Sequence, residues 1–142
     1  MKQSYSDAPG QNIRDRTFKF ACGVVELCEA LYERGGVARA MVSQLLGCGT
    51  SPAAMMEEAR AAESRRDFIS KCSIALKETR EAHVRLRINE QCRIGPLDKV
   101  AHLRGEANEL VAILTTILRN TRRNARLEAA AKRAERSASP DS

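Results

Sequence analysis

Residues 100–117 read VAHLRGEANELVAILTTI, and this stretch decides the fold class. Val100, Leu103, Ala107, Leu110, Leu114 and Ile117 are spaced alternately three and four apart. That is the period of one face of an α-helix, not the alternation of a strand. A helix with such a stripe must bury it against neighbours, so the rest of the chain has to supply matching faces.

It does so three times. Ser64-Arg65-Arg66-Asp67 has the S-x-x-D form of a helix start. After it, Phe68, Cys72, Ala75, Thr79, Ala82 and Leu86 mark one face of a helix from about Arg65 to about Cys92, closed by Gly95-Pro96. Upstream, Val37, Met41, Leu45 and Cys48 form a further stripe that meets Gly47, Gly49 and Pro52. An internal glycine costs about 1 kcal/mol and a proline about 3 relative to alanine. A kink or break is therefore predicted between Gly47 and Pro52, with helix resuming through Ala53–Ala62.

The first segment carries two adjacent stripes. Phe18, Ala21, Val25, Cys28 and Tyr32 make one, and Phe20, Val24, Leu27 and Leu31 the other. Together they form a wide apolar face of the kind a bundle helix needs, and Gly35-Gly36 ends it. Four such helices with short connections predict an all-α fold, an antiparallel up-down-up-down four-helix bundle over residues 12–123. MKQSYSDAPGQ, residues 1–11, reads as a disordered arm, and residues 124–142 as a basic helical extension ending in a disordered tail.

The composition agrees. A chain of 142 residues with 4% aromatics and no Trp has to build its core from aliphatic residues, Ala, Met and Cys, which favours helices over sheets. The net charge of +6 is unevenly placed. Between residues 119 and 136, seven basic residues face two acidic ones, which leaves the body close to neutral. The five cysteines are odd in number and show no CxxC spacing, so reduced thiols in a cytoplasm fit better than disulfides or zinc. No apolar run approaches the ~18 residues of a membrane span, and the opening residues lack the apolar core of a signal peptide.

Catalytic patterns are weak. The Glu-x-x-His spacing of di-iron bundles is missing, since Arg80 precedes His83 and Lys99 precedes His102 at that distance. Glu57 and Glu58 follow one another and so point about 100° apart on a helix. Glu57 and Arg60 instead have the spacing of an ion pair. No enzyme activity, cofactor or metal is expected. Arg119, Arg122, Arg123 and Arg126 recur at threes and fours, and Lys132, Arg133 and Arg136 follow. One helical face could thus present guanidinium groups to a phosphate backbone. Without interleaved aromatics it would read backbone charge rather than sequence, and a solubilising terminus remains the alternative.

The chain also resembles a bacterial four-helix bundle family first known from open reading frames within intervening sequences of large-subunit ribosomal RNA genes. NIRDRTFKFA, GVAR, SQLL, TSPAAMMEEARAAESRRDFISKCSIALKETRE and ELVAILTTI carry the resemblance, from about Asn12 to Arg123. Ala53 and Glu57 keep the family pattern, while Ala54 replaces its usual asparagine and Pro52 takes a small-residue position. Val84 stands where many relatives carry an aromatic. The resemblance implies a ring-shaped homopentamer, with Glu57, Arg60 and Glu78 at a subunit interface. It further implies kinship with the accessory protein of diversity-generating retroelements, a basic pentamer that binds reverse transcriptase and nucleic acid. The expected function is a non-enzymatic homo-oligomer contacting RNA or DNA through its basic C-terminal helix. The alternative is a protein-interaction adaptor, for example for a reverse transcriptase.

Overall fold

The computed structural model describes residues 9–139, all within helices or short connections. Five helices follow in order: α1 Pro9–Arg34, α2 Gly36–Ala40, α3 Val42–Arg60, α4 Arg65–Gln91 and α5 Leu97–Ala138. The fold is all-α, and no strand occurs among the described residues. Of the expected arm at residues 1–11, residues 1–8 lie outside the described residues, as do residues 140–142 of the tail.

The four long helices form a bundle in which each touches two others. α1 packs on α3 and α5, and α4 packs on the same two, while α1 and α4 do not meet. Cross-helix contacts pair early residues of one helix with late residues of its neighbour. Arg14 of α1 reaches Glu57 of α3 at 2.9 Å, and the Cys28 thiol approaches the Val42 carbonyl at 3.9 Å. Arg104 of α5 pairs with Glu90 of α4 at 3.3 Å, and Arg122 donates to Ser73 at 3.2 Å.

The stripe that begins at Val100 lines the centre. Val100, Leu103, Ala107, Leu110 and Leu114 are buried, and the seam then passes to Leu118, with Ile117 packed at its edge. Cys72, Ala75, Thr79, Ala82 and Leu86 face it from α4. Only one of the two α1 stripes is core. Phe20, Val24, Leu27 and Leu31 are buried, whereas of the other stripe only Cys28 is buried and Phe18, Val25 and Tyr32 are exposed. The buried hydroxyls of Thr17 and Thr79 donate to the carbonyls of Ile13 and Ala75 one turn back, so neither is left unsatisfied.

A full break between Gly47 and Pro52, one of the two outcomes predicted there, does not occur. α3 runs as one helix through both residues, and the break falls at Met41, between α2 and α3. Gly49 is a close-approach residue rather than a helix stop. A Cβ placed there would lie 2.6 Å from Val24 Cγ1. Pro52 is buried against the core, which offsets the backbone hydrogen bond it forfeits.

Helix ends follow local chemistry. Ser64 is extended and accepts a hydrogen bond from the Asp67 amide at 3.0 Å, which satisfies an orphan donor of α4. At the other end, the Ile94 amide donates to the Asn89 carbonyl at 2.9 Å and the Arg93 amide to the Glu90 carbonyl at 3.3 Å. That is a Schellman closure with Arg93, at φ 55°, in the left-handed position that glycine prefers. The Asn89 side chain reinforces it by donating to the Ile94 carbonyl at 3.1 Å. Arg93→Gly should accordingly stabilise the chain by about 0.5–1 kcal/mol. Urea denaturation checks this as a higher midpoint at unchanged slope.

Candidate nucleic-acid interface

The C-terminal part of α5 is built from strong helix formers, so it continues after the apolar stripe ends. Residues 126–139 are all exposed. At a rise of 1.5 Å per residue the ten residues after Glu128 span about 15 Å.

The seven basic residues singled out by sequence all lie on this helix. Arg119, Arg122, Arg123, Arg126 and Arg133 fall within roughly 100° of helical arc, with Glu128 and Glu135 nearly opposite. Lys132 and Arg136 wrap toward the side that faces the core higher up. Arg122 is engaged with Ser73, but the other six make no ion pair among the described residues. Their charge is exposed and free to meet a polyanion.

One contact across the bundle occupies a carboxylate of the same helix. Arg65, at the start of α4, grips Glu128 with two hydrogen bonds of 2.7 and 2.8 Å. The Arg65 hydrogen bond holds the Glu128 carboxyl below the usual carboxylate range, and Lys132 adds to the effect. The tie is therefore intact above the ordinary carboxylate range and is released only as pH falls through that depressed value. No pattern in the sequence announces it, since the partners are 63 residues apart.

The residues implied as a subunit interface sit elsewhere. Glu57 lies between Arg14 at 2.9 Å and Arg60 at 3.9 Å. Its neighbour Glu58 reaches Lys71 of α4 at 3.5 Å instead. Glu78 is half-buried on α4, near the Cys48 thiol, and is not brought together with Glu57 or Arg60.

The groove between α1 and α5 holds charges that are already satisfied. It measures about 550 Å³ and contains Arg16, clamped by Glu106 through two bonds of 2.9 Å and also by Glu109. Lys99 is paired there with Glu26. Burial pushes the Cys28, Cys48 and Cys72 thiols up to about 11, so they stay protonated at neutral pH. No group of three metal-ligating side chains occurs among the described residues. No described helix is long and apolar enough to cross a membrane.

Comparison with known proteins gives a consistent picture. The model of the family described as 23S rRNA-intervening sequence protein matches residues 11–116. A crystal structure of a protein of unknown function from Bacteroides thetaiotaomicron, assigned to the S23 ribosomal protein family, superposes with a TM-score of 0.70. It is 29% identical, and the match covers 78% of this chain and 98% of that one. No curated protein matches. The arginine-rich part of α5 begins after the last residue matched by the family model.

Proposed function

Because the chain belongs to the 23S rRNA-intervening sequence protein family, we propose that it is a non-enzymatic homo-oligomer that binds the backbone of RNA or DNA through α5. The observation that carries this reading is an arc of arginines, none in an ion pair among the described residues, on an exposed helix whose Glu128 carboxylate is occupied by Arg65. Guanidinium groups match phosphate geometry and stay charged at any physiological pH. The absence of aromatic side chains on the described part of that helix beyond Leu118 argues for contact with backbone charge, without base stacking.

In this reading the four long helices are an antiparallel up-down-up-down bundle that serves as a scaffold. The resemblance of the sequence to ring-forming bundles favours a pentamer, which would multiply the charge of one α5 fivefold. Protonated buried thiols and free exposed ones fit a cytoplasmic location.

The test is fluorescence anisotropy with a generic RNA or DNA oligonucleotide. Glutamine at positions 119, 122, 123, 126 and 133 keeps helix propensity while removing charge. The variant should lose binding at least a hundredfold without a change in melting temperature. Unchanged affinity would overturn the nucleic-acid reading. A partner protein captured equally before and after nuclease treatment would favour an adaptor instead.

A further inference from the structure

Two outward faces of the bundle carry apolar residues that the core does not use. On α1, Phe18, Cys22, Val25, Glu29 and Tyr32 recur at alternating steps of four and three, the spacing of a helix–helix seam. Phe18 is 62% exposed and Tyr32 56%. With Val42 and Leu46 of α3, Val25 and Tyr32 line a shallow groove of about 310 Å³. Its rim carries Glu29 and Glu33, both exposed and neither in an ion pair among the described residues. The Arg39 guanidinium lies over the Tyr32 ring, 4.3 Å from its centre, and keeps that ring standing outward.

The second face is on α4 and α5. Val84 and Ile88 are 50% and 46% exposed beside a groove of about 740 Å³. His83, Arg87, Arg104 and Asn108 line it. Arg104 is shared with Glu90, while Arg87 has no ion-pair partner among the described residues. One face is apolar with an acidic rim, and the other is apolar with a basic rim.

Their placement makes them a matched pair. α1 and α4 occupy opposite corners of the bundle, so the two faces point away from each other and cannot meet within one chain. They nevertheless lie at the same end. Arg34, closing α1, donates to the Arg93 carbonyl in the α4–α5 turn at 3.4 Å, and Gly95 abuts Leu27 and Leu31. Counting back from that contact, Glu29 and Arg87 are each about 8 Å away along their helices. A carboxylate without a partner and a guanidinium without a partner thus stand at one level on opposite sides.

We propose that these faces are the two halves of one contact, in which the acidic α1/α3 face of one copy receives the basic α4/α5 face of a second copy. This rests on the oligomeric reading above and assigns the surfaces that make it. Such a contact is heterologous, because the two surfaces differ, so each copy keeps one face available for the next. Val25 and Tyr32 meet Val84 and Ile88, which supplies the apolar burial, and Glu29 opposite Arg87 sets the register. The equal level of the faces adds copies side by side, without axial offset.

Light scattering on the full chain tests this with two exposed double variants. Val25→Arg with Glu29→Arg makes the acidic face basic, and Val84→Glu with Arg87→Glu makes the basic face acidic. The unaltered chain should run above the mass of one chain, and each variant alone should fall to the mass of one chain. Mixing the two should raise the mass above that of one chain, because the altered face of one variant then meets the altered face of the other. Strict alternation closes only even-numbered rings, so the mixture need not return to the mass of the unaltered assembly. Circular dichroism confirms that each variant is folded; Glu29→Arg and Arg87→Glu alone, which leave the apolar residues in place, should each lower the mass too. An unaltered chain at the mass of one chain would sink both this contact and the oligomeric reading. Variants that keep the larger mass would sink this contact alone, and so would a mixture that stays at one chain. Weaker RNA binding by the Val84→Glu and Arg87→Glu variant at unchanged mass would give the groove to nucleic acid and overturn the contact.

Discussion

Replacing Leu110 with alanine lowers the free energy of unfolding by about 2–5 kcal/mol. Leu110 is fully buried in the middle of the α5 stripe, between Ala107 and Leu114. A close-packed core relaxes only partly into such a gap, so the cavity persists. Domains of this size hold only about 5–15 kcal/mol in total, so the loss is a large share. The same substitution at Leu127 provides the control. That residue lies on the same helix but is 61% exposed, and its loss should stay within about 0.5 kcal/mol. Urea titrations at one fixed protein concentration measure both, since association would otherwise add its own contribution. Equal effects at the two positions would mean that the central seam is not where the stability resides.

Salt should weaken nucleic-acid binding steeply. Each neutralised phosphate contributes about −0.9 to the slope of log K against log salt on duplex DNA, and about −0.7 on single strands. Five chains that each neutralise one or two phosphates give a slope of roughly −5 to −9. Between about 50 and 200 mM salt, affinity would fall roughly a thousandfold to a hundred-thousandfold. A single chain using its arginine arc in the same way would give only about −1 to −2, so the slope also counts how many α5 helices engage. Exchanging the five arginines for glutamine should bring the slope near zero. A flat salt response in the unaltered chain would exclude backbone charge as the source of affinity.

Much of the local structure was legible before any coordinates. The spacing of Val100 to Leu114 marks the core face of α5 because a helix returns to the same side every three to four residues. Ser64 and Asp67 announced the start of α4 because capping involves only neighbours in the chain. The arginine arc was equally visible, since a helical face depends on spacing alone. Where readings failed or stayed open, the missing information was a neighbour distant in sequence. Gly49 looked like a helix breaker, yet it exists to let Val24 approach. Two stripes on α1 looked equally apolar, and nothing local could tell Phe20 and Val24, which are buried, from Phe18 and Tyr32, which are not.

The order of residues alone determined that this chain is helical, where its long helices begin and end to within a few residues, and which helix carries the surplus charge. These are consequences of backbone period and short-range hydrogen bonding. Only the packed structure decided which stripe of α1 faces inward, that Glu128 is occupied by Arg65, and that Glu29 and Arg87 stand at one level on opposite sides. Each of those depends on how helices far apart in sequence come together, and helical periodicity carries no record of distance across a bundle.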